Sequence, residues 1–370
     1  MKPRISLCMI VRDAEPLIDE FLAHLDGIWD QWVVVDTGSV DRTAERLAAA
    51  GAEIHHQTWA EDFARARNES LRHATGDWIL VLDSDEFPEA GFAAELRALV
   101  EDATVGAATL PQASLLPNGG CRTAHPLRLF RNLPGLAYRY RIHEDATESA
   151  REVLEARGLK FARLATPVRH VGYLREQMTR QNKRARDERL LTLALSDDPT
   201  DLYSRYKLLE LYRFWGDGAA MGPVADECRL LVEAGIEIHP PFIAGDLADM
   251  VAEALNPGND AAAAAFLESW APLAGQTGRF HTALGARYES LGRVQEAFTA
   301  FETALQLAEG DPAWVQIATR ALGGLTRLSL ALGDFATARD FATAGVKLSP
   351  DDAELRLALD FLATELPAQG

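Results

Sequence analysis

Asp83 and Asp85 stand two residues apart, directly after the apolar run Trp78–Leu82. Carboxylates so spaced at the end of a buried strand can point into one crevice. Hard divalent cations such as Mg²⁺ or Mn²⁺ favour carboxylate oxygens and substrate phosphates. A cation held there would bridge a diphosphate and stabilise the charge on a leaving phosphate. Acidic turns are common, so the spacing alone is a weak signal; its position after an apolar run gives it weight. Two further runs end in the same way. Ile5–Val11 is followed by Arg12, Asp13 and Glu15, and Trp32–Val35 by Asp36, Thr37, Gly38, Ser39 and Asp41.

The elements that would position these groups follow from the apolar spacing. Ile5–Val11, Trp32–Val35, Glu53–His56 and Trp78–Leu82 read as strands. Pro16–Ile28, Asp41–Ala50 and Phe63–Ala74 read as helices, with Leu17, Phe21, Leu22, Leu25 and Ile28 at helical spacing in the first and Asp41 as a cap for the second. Strand–helix alternation predicts a parallel sheet covered by helices. Ligands of such sheets collect beyond the carboxyl ends of the strands, so one crevice would hold all three polar clusters.

Two histidines extend the list. His170 follows the strand-like Ala165–Arg169, and His143 precedes Glu144 and Asp145. Histidines at strand ends beside acids suit metal or base chemistry. His170 is taken as a distal metal ligand with Asp83 and Asp85. Glu144 is taken as a general base, since a carboxylate suits removal of an acceptor proton when its site tunes it; Asp145 is its nearest rival. A hydrogen-bonded structural role stays open for both histidines, a helix-capping role for Asp36 and Ser39, and a surface ion pair for Arg67. No Asp or Glu falls between Asp102 and Glu144, yet Arg122, Arg128, Arg131, Arg139 and Arg141 do. That cationic run suits an anionic ligand or a solvated face.

The C-terminal half changes character. From about residue 178 long helical patterns take over. Leu284, Gly285, Tyr288, Gly292, Ala297, Phe301 and Ala304 occupy successive positions of a tetratricopeptide repeat between Gly278 and Pro312, and Leu322, Leu325, Gly333, Ala338, Ala342 and Pro350 nearly repeat the register. Residues 201–235, with Tyr203, Tyr206, Tyr212 and Gly216, look like a degenerate first unit. Stacked helix pairs bury a shared core and leave a concave face for a partner.

Composition narrows the function classes. The 370 residues are 48% hydrophobic, ample for two cores, and the formal net charge is −18. Residues 1–175 hold 20 Lys/Arg against 26 Asp/Glu, a balance of −6, and the remainder 17 against 29, a balance of −12. Nucleic-acid binders that neutralise phosphate are usually basic, so no nucleic-acid partner is expected. Cys8, Cys121 and Cys228 form no CxxC pair, which argues against a zinc knot or a disulfide framework. Cys8 reads as a buried strand residue. The first apolar run is too short for a signal peptide, and no run approaches the roughly 18–20 residues that span a bilayer. A cytoplasmic protein without a transmembrane segment is expected.

Val33-Val34-Val35-Asp36-Thr37-Gly38-Ser39-Val40-Asp41-Arg42-Thr43 resembles the VDxGSxDxT signature of family 2 glycosyltransferases, which have the GT-A fold. Met9–Glu15, Trp59–Asn68, Gly76–Trp78 and Asp83–Glu86 resemble the same family in order and spacing. Arg128–Asn132, Arg141–Glu144 and His170–Tyr173 are similar to motifs of a bacterial subgroup that joins this domain to C-terminal tetratricopeptide repeats and includes bacteriocin S-glycosyltransferases. The resemblance covers residues 5–175 well and the repeats more loosely.

The resemblance implies a GT-A nucleotide-sugar-binding domain over residues 1–180 and an all-α tetratricopeptide-like domain over 181–370. It implies that Asp36 bonds a uracil near Val11 and Arg12, that Arg67 approaches the nucleotide, that Asp83 sits at the ribose or metal, and that Asp85 is the principal ligand of Mn²⁺ or Mg²⁺. Glu15, Gly38, Ser39, Asp41 and Ser84 complete the expected donor site. Asp145 stands where the family pattern has Gln. The function expected is metal-dependent, inverting transfer of a sugar from a UDP-sugar, with the repeats presenting a peptide or protein acceptor and offering a surface for homo-oligomers. A glycan or lipid-linked acceptor and an inactive repeat scaffold are the alternatives. A nucleotidyltransferase is disfavoured because Ile10–Pro16 contains no glycine.

Overall fold

The computed structural model describes residues 2–115, 121–172, 180–309, 311 and 314–365. Tyr173, Pro312 and the expected change of character near residue 178 lie outside the described residues. The chain divides into two compact units, Met1–Asp197 and Asp198–Gly370.

In the first unit, β1 (Ile5–Val11), β2 (Gln31–Asp36), β3 (Glu53–His56) and β4 (Trp78–Val81) are parallel, in the order β4-β1-β2-β3. Every residue of β2 and β4 is buried, as befits central strands covered on both faces. The expected first helix is mostly replaced. A 3₁₀ turn at Glu15–Leu17 leads into a short α1 (Ile18–Leu22), and i→i−3 bonds such as Leu25 N to Leu22 O and Ile28 N to Leu25 O carry the chain onward. Phe21, Leu25 and Ile28 are buried all the same, because tight turns keep nearly the same apolar face inward. The crossover helices are α2 (Thr43–Ala49) and α3 (Phe63–His73), the latter capped by Asp62, whose carboxylate accepts from Arg65 N at 2.8 Å.

Beyond β4 the purely parallel expectation fails. After β5 (Glu86–Pro88) and α4 (Phe92–Leu99) come β6 (Val105–Thr109), β7 (Gln112–Leu115), β8 (Cys121–Ala124) and β9 (Leu127–Arg131). β9 inserts antiparallel between β4 and β6. Following α5 (Thr147–Glu155), β10 (Lys160–Arg163) closes the seven-stranded sheet and β11 (Val168–His170) joins a second, four-stranded sheet of order β5-β11-β7-β8. These strands are three to five residues long, too short for alternation to register in the sequence. Helix α6 (Arg180–Asp197) also belongs to this unit: Arg189 pairs with Glu61, Asp197 with Arg141, and Arg186 lies 5.7 Å over the Phe63 ring. The units therefore divide after Asp197 rather than after residue 180.

The second unit is all helical: α7 (Leu202–Phe214), α8 (Gly218–Glu233), α9 (Ala244–Leu255), α10 (Asp260–Ala274), α11 (Gly278–Ser290), α12 (Val294–Ala308), α13 (Trp314–Ala331), α14 (Phe335–Leu348) and α15 (Ala353–Glu365). Pairs α7–α8, α11–α12 and α13–α14 are the three units expected from the sequence. α9–α10 is a further pair that the sequence reading did not expect. Leu284, Tyr288, Ala297, Phe301 and Ala304 are all buried. A β-carbon at Gly285 would meet the Phe301 ring at 2.9 Å and one at Gly324 at 2.3 Å, so both glycines make room for that ring.

Candidate active site

The loops after β1 and β2 are joined by reciprocal bonds. Val11 and Asp36 are partners in register, and Thr37 donates through both N and Oγ1 to Val11 O, at 3.0 and 3.1 Å. Asp13 N donates to Ser39 Oγ and Val40 N to Asp13 Oδ1; Glu15 N donates to Asp41 Oδ2 and Arg42 N to Glu15 Oε2. Asp36 Oδ1 receives Gly38 N, Ser39 N and the Ser39 hydroxyl. This turn needs the φ of +108° at Gly38. Asp36 Oδ2 faces His56 Nδ1 at 3.3 Å. Ser39, Asp41 and Glu15 thus fix the loops. Arg12 is exposed, 3.7 Å from Asp13.

The floor of the crevice is an ion network. Arg67, 5% exposed, donates Nη1 and Nη2 to the two oxygens of Asp83 at 2.8 and 2.9 Å, and Nε to Glu144 Oε1 at 3.0 Å. Arg128 reaches Asp83 Oδ2 at 3.3 Å and Glu86 Oε1 at 2.5 Å. Glu86 is fully buried and also accepts from Asp83 N, at 2.8 Å, and from Gln112. Burial opposes ionisation of Asp83, yet Arg67 and Arg128 outweigh it and hold its pKa far below the carboxylate range. Glu86 goes the other way: burial, with Asp83 and Asp85 close by, raises its pKa against the pull of Arg128.

Asp85 Oδ2 is 3.4 Å from His170 Nε2. Three contacts bring these residues together. His170 pairs with Glu86 on β5 and with Ser114 on β7, and Val171 N donates to Asp85 O at 3.1 Å. A β-carbon at Gly172 would stand 2.5 Å from His170 Nε2 and 2.8 Å from Asp85 Oδ2. Burial disfavours protonated His170, but Asp85 overrides it and raises the pKa.

Residues 6–140 match the family model described as Glycosyl transferase family 2. The N-terminal domain is a family 2 glycosyltransferase domain. A TPR repeat-containing protein of Synechococcus elongatus is 36% identical over 211 residues, which cover 55% of this chain and 51% of that protein. The SPbeta prophage-derived glycosyltransferase SunS of Bacillus subtilis is 29% identical over 85 residues, 22% of this chain and 20% of that one. The chain thus spans about half the length of the first relative and a fifth of the second. Among solved structures, a Pyrobaculum calidifontis mannosyltransferase in complex with GDP-Man and Mn²⁺ aligns over 83% of this chain and 85% of its own, at 19% identity and a TM-score of 0.40.

Within the glycosyltransferase domain the two base candidates are treated differently. Glu144 meets Arg67 in the crevice, whereas the Asp145 carboxylate accepts from Thr147 N at 2.8 Å and Thr147 Oγ1 at 3.0 Å, where α5 begins. His143, at φ +55°, turns the chain between them and β9. The cationic run is dispersed. Arg128 alone of its described side chains enters the network; Arg131 bonds the carbonyls of Val105 and Asp102, Arg139 pairs with Glu148 and Glu152, and Arg141 with Asp197. The Arg122 side chain lies outside the described residues. Cys8 and Cys228 are buried and Cys121 is exposed, all as free thiols.

Among the described residues no group of three His, Cys, Asp or Glu is arranged to hold a metal, and both arginines engage Asp83. Asp85 and His170 nevertheless suit one. Neighbouring donors around a hard cation with ~2.1 Å bonds lie roughly 3 Å apart, and such ions are commonly held by one or two protein ligands plus substrate phosphate. Sequence reasoning did not single out His56, Ser114 or Gly172 as site residues, and it gave Glu86 and Arg128 no individual role. Glu86, Gly172 and Arg128 lie within the quoted segments Asp83–Glu86, His170–Tyr173 and Arg128–Asn132; nothing local marks Ser114. No helix among the described residues is long and apolar enough to cross a membrane.

Proposed function

We propose that this glycosyltransferase transfers a sugar from a UDP-sugar to a peptide or protein side chain by a metal-dependent inverting displacement. The observation that carries the reading is the Asp85–His170 pair beside the Arg67–Asp83–Glu144 network at the carboxyl ends of the strands. Asp85 and His170 would hold Mn²⁺ or Mg²⁺, which when bound neutralises diphosphate charge. Asp36 Oδ2, His56 and the end of β1 form the edge that receives the uracil. Asp83, fixed by two arginines, faces the ribose side rather than acting as a ligand.

Glu144 is the general base. The acceptor heteroatom forms its bond to the anomeric carbon, the bond from that carbon to the diphosphate oxygen breaks, and the acceptor proton passes to Glu144. Arg67 aligns the carboxylate before attack, which favours Glu144 over Asp145. The helical repeats supply the acceptor surface, since stacked helix pairs hold extended or helical peptides. Incubation with a panel of UDP-sugars and Mn²⁺, with released UDP measured, tests the donor assignment. No UDP release from any UDP-sugar, with or without Mn²⁺ and candidate peptides, would sink it.

A further inference from the structure

Ser114 is 4% exposed on β7, and its hydroxyl lies 3.0 Å from His170 Nδ1. The contact follows from register: Ser114 and His170 are direct partners in the parallel β7–β11 pair, so their side chains leave the same face. The opposite ring nitrogen, Nε2, faces Asp85 across 3.4 Å. Gly172 closes the other side, where any β-carbon would collide with that nitrogen and with the Asp85 carboxylate. The imidazole is therefore gripped at Nδ1 and given space at Nε2.

We infer that Ser114 is a positioning residue that fixes the tautomer and ring orientation of His170 for a divalent cation. This rests on the reading of Asp85 and His170 as the cation's ligands. A neutral imidazole offers a lone pair from one nitrogen and carries the proton on the other, and the partner of the protonated nitrogen decides which is which. With its Nδ1–H donated to Ser114 Oγ, His170 presents the Nε2 lone pair beside Asp85. Without the hydroxyl, Nδ1 loses the partner that holds its proton and the ring's orientation. Outer-sphere partners of this kind are worth about 10–100-fold in metal affinity.

The test uses the full chain and Mn²⁺ with UDP as the probe. Calorimetry on Ser114→Ala should show UDP affinity in Mn²⁺ falling about 10-fold or more, while Ser114→Thr, which keeps the hydroxyl, stays within about threefold of wild type. Thermal melts without metal should place all three proteins close together, separating positioning from folding. Long-range ¹⁵N–¹H spectra of wild type with Mg²⁺ and UDP should show His170 protonated at Nδ1, a readout that does not depend on any variant folding. Wild-type affinity in Ser114→Ala, or a His170 proton on Nε2 in the loaded wild type, overturns the positioning role and leaves the donor assignment standing. If wild-type UDP binding ignores Mn²⁺ altogether, the cation assignment fails and this inference falls with it.

Discussion

Two carboxylates of the crevice differ in what surrounds them, and that difference makes separate predictions. Asp83 is engaged by Arg67 and Arg128, whereas Asp85 is met by His170. Asp85→Ala should abolish the Mn²⁺-dependent part of UDP binding and leave the fold intact; calorimetric affinity unchanged from wild type would remove Asp85 from the metal site. Glu144→Gln keeps the shape and the contact with Arg67 but removes the basic carboxylate. Turnover should fall by about 10²–10⁴-fold with donor affinity nearly constant, the pattern of a group acting in the transition state. Asp145→Asn still accepts from Thr147 and should leave turnover close to wild type. If the two variants exchange behaviours, the base moves by one residue. The residue types and the DxD spacing of this site were legible in the sequence. The arginine grip on Asp83 was not, because it joins α3, the end of β4 and β9 across separations that leave no local pattern.

Elements decide how well Glu144 is aimed. The 138–145 segment carries two left-handed residues, Tyr140 at φ +70° and His143 at φ +55°, conformations that cost non-glycine residues about 1–3 kcal/mol each and persist only where neighbours enforce them. α3 supplies the enforcement. Asn68 accepts from Tyr138 N and donates to Tyr138 O, each at 2.8 Å, and Phe63 N donates to Arg141 O at 2.8 Å. Asn68→Ala should release the segment and lower turnover at least ~10-fold through misplacement of Glu144, with UDP affinity preserved; parallel losses of affinity and turnover would mean general unfolding instead. In the repeats, Gly324→Val drives a side chain into the Phe301 ring. Overpacking of this sort costs about 1–3 kcal/mol, a fall of roughly 2–4 °C in Tm per kcal/mol for a unit of this size. An unchanged melt by differential scanning calorimetry would show that the helices slide apart freely. The strands β1, β2 and β4 were readable because each is built on a buried apolar run, whereas β3 (Glu53–His56) is polar and only partly buried. The α9–α10 pair was not readable, although it too buries large side chains, among them Leu247, Val251, Leu267 and Trp270.

For the whole molecule, the two units predict a division of labour. A chain ending at Asp197 keeps α6 with its partners Glu61, Arg141 and Phe63. It should bind UDP with Mn²⁺ but fail to glycosylate the acceptor that the full chain uses. Full acceptor turnover by that shortened chain would refute an acceptor role for the repeats. By itself the sequence determined the strand–helix alternation of the first unit, the polar residues beyond the strand ends and the repeat character of the second half. These depend on neighbours in the chain: apolar runs, turn glycines and helical spacing. Only the tertiary structure decided that β9 runs antiparallel beside β4, that a second small sheet carries His170 to Asp85, and that Ser114 and Gly172 frame the imidazole between them. Those pairings unite residues many tens of positions apart, and their energy comes from burying shared faces and satisfying backbone donors. No local spacing encodes which distant strand will supply the partner.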